Sequence, residues 1–299
     1  MNRSALGLVA VLIVAVLGLV GLQAPAEPAN DFHFSIIGDR TGGATPQVWG
    51  RVWREVSLLG PDFVINTGDT IQGGGDHLVE RQWEEIAPVL ARYRDLPLYF
   101  TPGNHDVFSE FSEQVYVKRT GRPTHYCFRF QNAHFTVLDN SRTADLSEAQ
   151  LDFLEQDLKR HQELAPKFIF VHKPYWIVPL KLASGEFRLH QLARRYGASY
   201  VISGHGHRLV RLERDGILYL MVGSSGANIE AQRKDPEGFR NGYFYHHVWV
   251  RVKGSKVRFT VKELDGPFGK GRMFPLEAWA DAAPLFDPED PAAFDKPET

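Results

Sequence analysis

Two imidazoles stand one glycine apart in Ser203-Gly204-His205-Gly206-His207, directly after the strand-forming run Tyr200-Val201-Ile202. Four more polar clusters follow apolar runs in the same way. They are Asp39 in IIGDR, Asp69 in NTGDT, Asn104-His105-Asp106 in TPGNHD, and His172 in FVHKP. Carboxylate, amide and imidazole donors together suit Mn²⁺, iron or Zn²⁺ and require no soft thiolate. The chain has a single cysteine, Cys127, so it forms no internal disulfide and holds no zinc site of the Cys-x-x-Cys kind. Taken singly, a Gly-Asp after a strand reads as a turn with a capping Asp, and a lone His172 as a structural histidine. Five such clusters at five strand ends read as one metal site.

The elements that must bring them together alternate. FHFSII reads as a buried strand ending at Gly38-Asp39, and DFVINT as a second ending at Gly68-Asp69. LPLYFT is a third, ending at Pro102-Gly103-Asn104. Between them, Thr45-Pro46 opens a helix as N-cap and first-turn proline, with an apolar stripe of Val48, Trp49, Val52, Trp53 and Val56. A further helix carries Leu78, Trp83, Ile86, Val89 and Leu90. Strand-helix-strand spacing of this kind predicts βαβ units and a mainly parallel sheet. In a parallel sheet the strand C-termini share one edge, where ligands of open α/β folds bind. Glycines before Asp39, Asp69, Asn104 and His205 let the backbone turn sharply there.

Further on, THYCFRF and HFTVLDN read as a hairpin, and Ser147 to Gln150 as a capping box ahead of Leu151, Leu154 and Leu158. KFIFV is a strand ending at His172, and a helix through Leu189, Leu192 and Tyr196 leads to SYVIS. After Leu209 the pattern is hairpins: LVRLE against ILYLMV, then YFYHHVWVRV against KVRFTV. His246 and His247 alternate faces of a strand, so at most one points inward, and both read as structural.

The formal net charge is −2 and there is no long basic run, so no nucleic-acid partner is expected. The N-terminus is the compositional outlier: Ala5 to Leu22 lacks any polar side chain, and Ala24-Pro25-Ala26 offers a small-x-small cleavage site. Since about 18 apolar residues can just span a bilayer, residues 1–30 read as either a cleaved signal peptide or an uncleaved membrane anchor. Both export the rest, to the periplasm, the medium or the outer face of the membrane. Residues 31–265 form the expected domain. Residues 266–299, rich in Pro, Ala and Asp, are expected to be an irregular tail docked through Trp279 and Phe286.

The order Asp, GD, GNHD, His, GHGH, from Asp31 to Asp265, resembles the calcineurin-like metallophosphoesterases, a superfamily that includes purple acid phosphatases, Ser/Thr phosphatases and many bacterial phosphodiesterases. The resemblance implies an α/β fold, a four-layer α/β/β/α sandwich of two mixed sheets flanked by helices, with two divalent or trivalent metal ions (Mn, Fe or Zn) at the sheet edge. It implies that Asp69 bridges both metals. Asp39 and His207 would hold the first, and Asn104, His172 and His205 the second, with a water between them as nucleophile. His105 would serve as acid or charge stabiliser, with Asp106 orienting its ring.

Two departures stand out. Many members carry Asp-x-His in the first motif, where this chain has Asp39-Arg40-Thr41. Purple acid phosphatases place a Tyr three residues after the GD aspartate, where this chain has Gln72, which argues against a tyrosinate-bound Fe(III) centre. Gln72, the Thr41 hydroxyl or water are the candidates for the missing ligand, with Asp76 and His77 more distant ones. Arg40 cannot ligate a cation. Its guanidinium fork matches phosphate oxygens, so it is expected to clamp substrate phosphate or brace the Asp39 side of the site. The expected activity is metal-dependent hydrolysis of a phosphate mono- or diester on a small phosphorylated substrate, outside the cytoplasm. The alternative is a non-catalytic envelope module that keeps the fold and one metal and binds a phosphorylated ligand.

Overall fold

The computed structural model describes residues 29–181, 187–264 and 271–279. The first sheet begins with three parallel strands, β1 (Asp31–Ile37), β2 (Phe63–Asn66) and β3 (Leu98–Phe100). They are joined through helices α1 (Val48–Leu59) and α2 (Asp76–Arg92). After α3 (Glu110–Thr120) the chain enters the second sheet. There β4 (Tyr126–Phe130) and β5 (Ala133–Val137) form a hairpin, and β5, β6 (Lys167–Phe170) and β7 (Tyr200–Ser203) run parallel. Helices α4 (Glu148–Arg160), α5 (Ile177–Lys181) and α6 (Arg188–Tyr196) connect them. The hairpin β8 (Val210–Arg214) and β9 (Ile217–Met221) completes this sheet in the order β4-β5-β6-β7-β9-β8. After the short α7 (Glu230–Arg233), β10 (His246–Lys253) and β11 (Lys256–Glu263) return to the first sheet. With β12 (Met273–Pro275) its order is β12-β11-β10-β1-β2-β3.

Each sheet has six strands of mixed direction, and the two pack face to face between helices, the four-layer sandwich expected. Period-2 alternation explains the packing. Phe32, Phe34 and Ile36 of β1 point between the sheets and meet Phe135, Phe168 and Phe170, while Ile37 faces the helices with Val52 and Trp53. Rings on one sheet stack, Phe34 on Phe63 at 5.0 Å and Phe135 on Phe168 at 4.8 Å. Across the sheets they meet edge to face: Phe34 and Phe63 reach Phe135 at 5.5 and 5.4 Å, both at 89°. That geometry sets the positive ring edge of one partner against the negative face of the other.

Several elements differ from expectation. Helix α1 starts at Val48, not at Thr45, because the Thr45 hydroxyl bonds the Tyr245 hydroxyl at 2.7 Å instead of capping, and Gln47 takes a left-handed turn. Helix α3 had no visible apolar stripe: Phe111 and Val117 are exposed, while Ser112, Val115 and Tyr116 are buried. Its start is set by the reciprocal Ser109–Ser112 cap. The Ser147 cap is half a box, since Gln150 reaches the Asp139 amide and not Ser147. His246 and His247 do face opposite ways, yet both are buried, because α1 covers the outer face of β10 and sets Glu55 3.6 Å from His247. Residues 273–275, read as irregular, pair with β11, and Trp279 packs on Phe239, Phe244 and Phe274. Phe286 and the apolar N-terminal run lie outside the described residues. Among the described residues no helix is long and apolar enough to cross a membrane.

Phe63 contacts six rings in the inter-sheet layer, so Phe63→Ala is expected to cost about 3–5 kcal/mol through lost burial and the cavity left behind. Leu58→Ala, at a side chain 76% exposed, is expected to stay within about 0.5 kcal/mol. Denaturant midpoints of the two variants check both.

Candidate metal centre

The five clusters leave the C-terminal ends of β1, β2, β3, β6 and β7, three strands from one sheet and two from the other, and meet at one rim. Hydrogen bonds close the rim across the sheets. The His205 amide donates to Asp39 Oδ2 at 2.7 Å, the His172 Nδ1–H donates to the Thr67 carbonyl at 2.9 Å, and the Asp39 amide donates to Gly223 O at 3.2 Å. Asp39, Asp69 and His172 are fully buried; Asn104, His105 and His205 are half-buried and form the mouth with exposed Gln72.

Two groups of ligand-type atoms result, and they share one carboxylate. Asp69, His172 and His205 form one, and Asp39, Asp69 and His207 the other, with all candidate atoms of each group within 4.8 Å of one another. His172 Nε2 lies 3.1 Å from Asp69 Oδ2 and 3.1 Å from Asn104 Oδ1, which adds the amide to the first group. His207 Nε2 lies 3.5 Å from Asp39 Oδ2. All six residues singled out as ligands are therefore brought together.

Glycines permit this convergence, at two positions for a different reason than turning. A Cβ on Gly103 would stand 2.1 Å from Asp69 Oδ1, and one on Gly204 2.3 Å from Asp39 Oδ1. Neither has a positive φ; what is needed there is close approach of backbone to a buried carboxylate. The sharp backbone falls on the candidate ligands themselves: Asp69, His205 and His207 have φ of 55°, 74° and 50°. Non-glycine residues held in this left-handed region store strain that the surrounding contacts must hold in place.

The charges in the cage polarise one another. Burial opposes the cationic form of His172, but the Asp69 carboxylate outweighs it and pushes the ring up to about 9. For Asp69, burial is likewise overridden, and His172 holds the carboxyl well below its usual range. Burial raises Asp39 well above that range against the pull of His172, and Asp69 adds to the rise. His205 is pushed down to about 3 by burial and then by the charge on His172. The donor set fits a cation. With Nδ1–H committed to the Thr67 carbonyl, Nε2 is the nitrogen turned toward Asp69 Oδ2 and Asn104 Oδ1, and a cation bound there would take the place of the proton that Nε2 otherwise shares with those oxygens.

The neighbours expected to act with the ligands are arranged differently. Asp106 does not orient the His105 ring. Its Oδ1 accepts the Thr70 and Ile71 amides at 2.8 and 3.0 Å and its Oδ2 the Gly103 amide at 3.1 Å, so it pins the loop after Asp69 to the loop before Asn104. The ring is instead held by the Gln72 carbonyl, 2.6 Å from Nδ1. Arg40 donates to the Thr70 carbonyl at 3.0 Å and lies 5.7 Å over the Trp49 ring, which places it in the wall beside Asp69. Thr41 and Gln72 bond each other through the hydroxyl and Oε1, and Asp76 accepts the Ser109 hydroxyl at 2.5 Å. Missed entirely were Asn66 and Thr67, which hold the Gly68 amide, Asp39 and His172; two polar residues inside a buried run were the available signal.

Comparison with known proteins gives the family and the fold. The sequence model of the calcineurin-like phosphoesterases matches residues 29–209. No curated protein sequence matches the chain. Among solved structures, a purple acid phosphatase from yellow lupin (Lupinus luteus) seeds is similar at 13% identity and TM-score 0.62, over 83% of this chain and 54% of that one. GAP50, the anchor in the inner membrane complex of Plasmodium, is similar at 14% and 0.56, over 82% and 89%. A dimetal phosphatase from Danio rerio is similar at 15% and 0.53, over 83% and 99%. The alignment thus spans about half of the lupin chain.

Gly204→Ala, whose methyl would collide with Asp39, is expected to lower bound metal while leaving secondary structure intact. Gly50→Ala, in a helix with nothing within 4 Å of the new methyl, is expected to bind metal as the parent does. Elemental analysis after gel filtration, with far-ultraviolet circular dichroism as the folding control, separates the two.

Proposed function

The chain belongs to the calcineurin-like phosphoesterase family, and from that premise we propose that it is a dinuclear metal-dependent hydrolase of small phosphate esters working outside the cytoplasm. The observation that carries the reading is the sharing of Asp69 between two ligand groups at one rim. Asp69, Asn104, His172 and His205 would hold one cation, and Asp39, Asp69 and His207 the other. When bound, two such cations neutralise phosphoryl oxygens and acidify water into a nucleophile near neutral pH. Export rests on the apolar run Ala5 to Leu22 ahead of the domain.

The protein's own groups supply the rest. His105 sits at the half-open mouth beside the ligands, its Nδ1 fixed by the Gln72 carbonyl, so Nε2 is the nitrogen left to face a substrate. An imidazolium held this way donates Nδ1–H to the protein and Nε2–H to the departing alkoxide, and its orientation is set before substrate arrives. Asp106 acts through the loops it pins, which carry Asp69 and Asn104. Arg40 braces the Thr70 carbonyl, so its effect on turnover passes through the position of Asp69.

Turnover of aryl phosphate mono- and diesters with added Mn²⁺ tests the proposal. Asp69→Asn is expected to lower kcat/KM by about 10³-fold, about 4 kcal/mol of transition-state stabilisation. His105→Ala is expected to lower kcat by about 10²–10⁴-fold with metal content unchanged. One bound metal with no hydrolysis of mono-, di- or pyrophosphate esters would instead leave a phosphate-binding module. Because one ligand group has four protein donors and the other three, graded chelation is expected to remove the metals in two steps. The Asp39–His207 site should empty first, followed by metal analysis against chelator concentration.

A further inference from the structure

A second cluster of metal-type donors lies on the other side of the second sheet. β5 sends His134 and Thr136 to its outer face, and β4 sets Cys127 directly opposite Thr136. α4 crosses that face and contributes Asp157 and His161, one helical turn apart. His134 pairs with Lys167 at the start of β6, so it lies beside the end of β6 opposite to the one that leads to His172. Candidate donor atoms of Cys127, His134, Asp157 and His161 all lie within 4.8 Å of one another.

Asp157 is the centre. Its Oδ2 lies 2.8 Å from His134 Nε2 and accepts the Thr136 hydroxyl at 2.6 Å, while Oδ1 lies 3.0 Å from His161 Nδ1. The two imidazoles stack at 4.3 Å and aim nitrogens at the same carboxylate. His134 and Asp157 are buried, and Cys127 and His161 are half-buried, so the cluster has one closed and one accessible side. One thiol, two imidazoles and one carboxylate from three elements make a four-donor set of the type zinc takes in closed, tetrahedral sites.

We propose that Cys127, His134, Asp157 and His161 bind a zinc-like divalent cation in a structural site that ties α4 to the β4–β5 hairpin. Binding replaces the thiol proton by the metal and releases it to solvent, so the site loads better as pH rises.

The single cysteine gives the test an unambiguous signal, because the rim site has only oxygen and nitrogen donors. The full chain, reduced, stripped with chelator and reloaded with Co²⁺, is expected to show a near-ultraviolet thiolate-to-cobalt charge-transfer band. Cys127→Ser should abolish it and leave phosphoesterase turnover in place, whereas Asp69→Asn should keep it. Zn²⁺ should also slow alkylation of Cys127 by iodoacetamide, and His161→Gln, at a half-buried position, should weaken that protection at least about tenfold. A cobalt-loaded parent without the band, a band that survives Cys127→Ser, or alkylation at equal rates with and without Zn²⁺ overturns the proposal.

Discussion

The structure turns on a carboxylate buried where it can be kept only in company. Asp69 is fully inaccessible, sits at φ 55°, and receives the His105 amide on one oxygen and the His172 ring on the other. An ionised carboxylate in such a place costs several kcal/mol unless it is paired and hydrogen-bonded. The partners must therefore arrive from both sheets, His105 after β3 and His172 after β6. From that demand follow the tight loops at the rim, the bare glycine at position 103 against Asp69, and the pinning of both loops by Asp106.

Holding two sheet rims to within hydrogen-bond distance requires a core that does not slide. The aromatic layer between the sheets supplies it: stacked pairs within each sheet interlock edge to face across the gap, which fixes lateral register as well as spacing. The last strands serve the same end. β10 runs antiparallel beside β1 over seven residue pairs, and the loop before it places Ser225 on the Gly38 amide and Gly223 on the Asp39 amide. Asp39 is thus braced by chain far beyond it in sequence.

The parallel strands and their ligand-bearing ends were legible because short apolar runs ending in Gly-Asp, Gly-Asn-His and Gly-His leave few other readings. Residues whose meaning depends on tertiary neighbours were not. Asp106 follows His105 directly and looked like its orienting carboxylate, yet its oxygens are claimed by three amides of two loops, contacts no spacing rule encodes. Thr67 looked like filler in a strand end and turns out to set the tautomer of a histidine more than a hundred positions away. Helix α3 escaped because it buries Ser112 and Tyr116 and exposes Phe111 and Val117, so periodicity in hydrophobicity is absent where a helix plainly exists. β12 is three residues of edge strand whose pairing is decided by β11 and by Trp279, not by its own composition.

The two halves of the rim are unequal for a reason visible in one contact. Where relatives with the fuller first motif carry a histidine, Thr41 is buried and gives its hydroxyl to Gln72 Oε1, which also accepts the Gly43 amide at 3.0 Å. Two side chains that could each have turned toward Asp39 are thereby committed to each other and to the loop. The Asp39 side keeps two carboxylates and one imidazole; the Asn104 side keeps one carboxylate, one amide and two imidazoles. A donor set richer in anionic oxygen and poorer in nitrogen favours a harder, more hydrated and more exchangeable ion. The asymmetry therefore belongs to the first motif itself, and restoring a histidine at position 41 would have to break the Thr41–Gln72 contact before it could add a ligand.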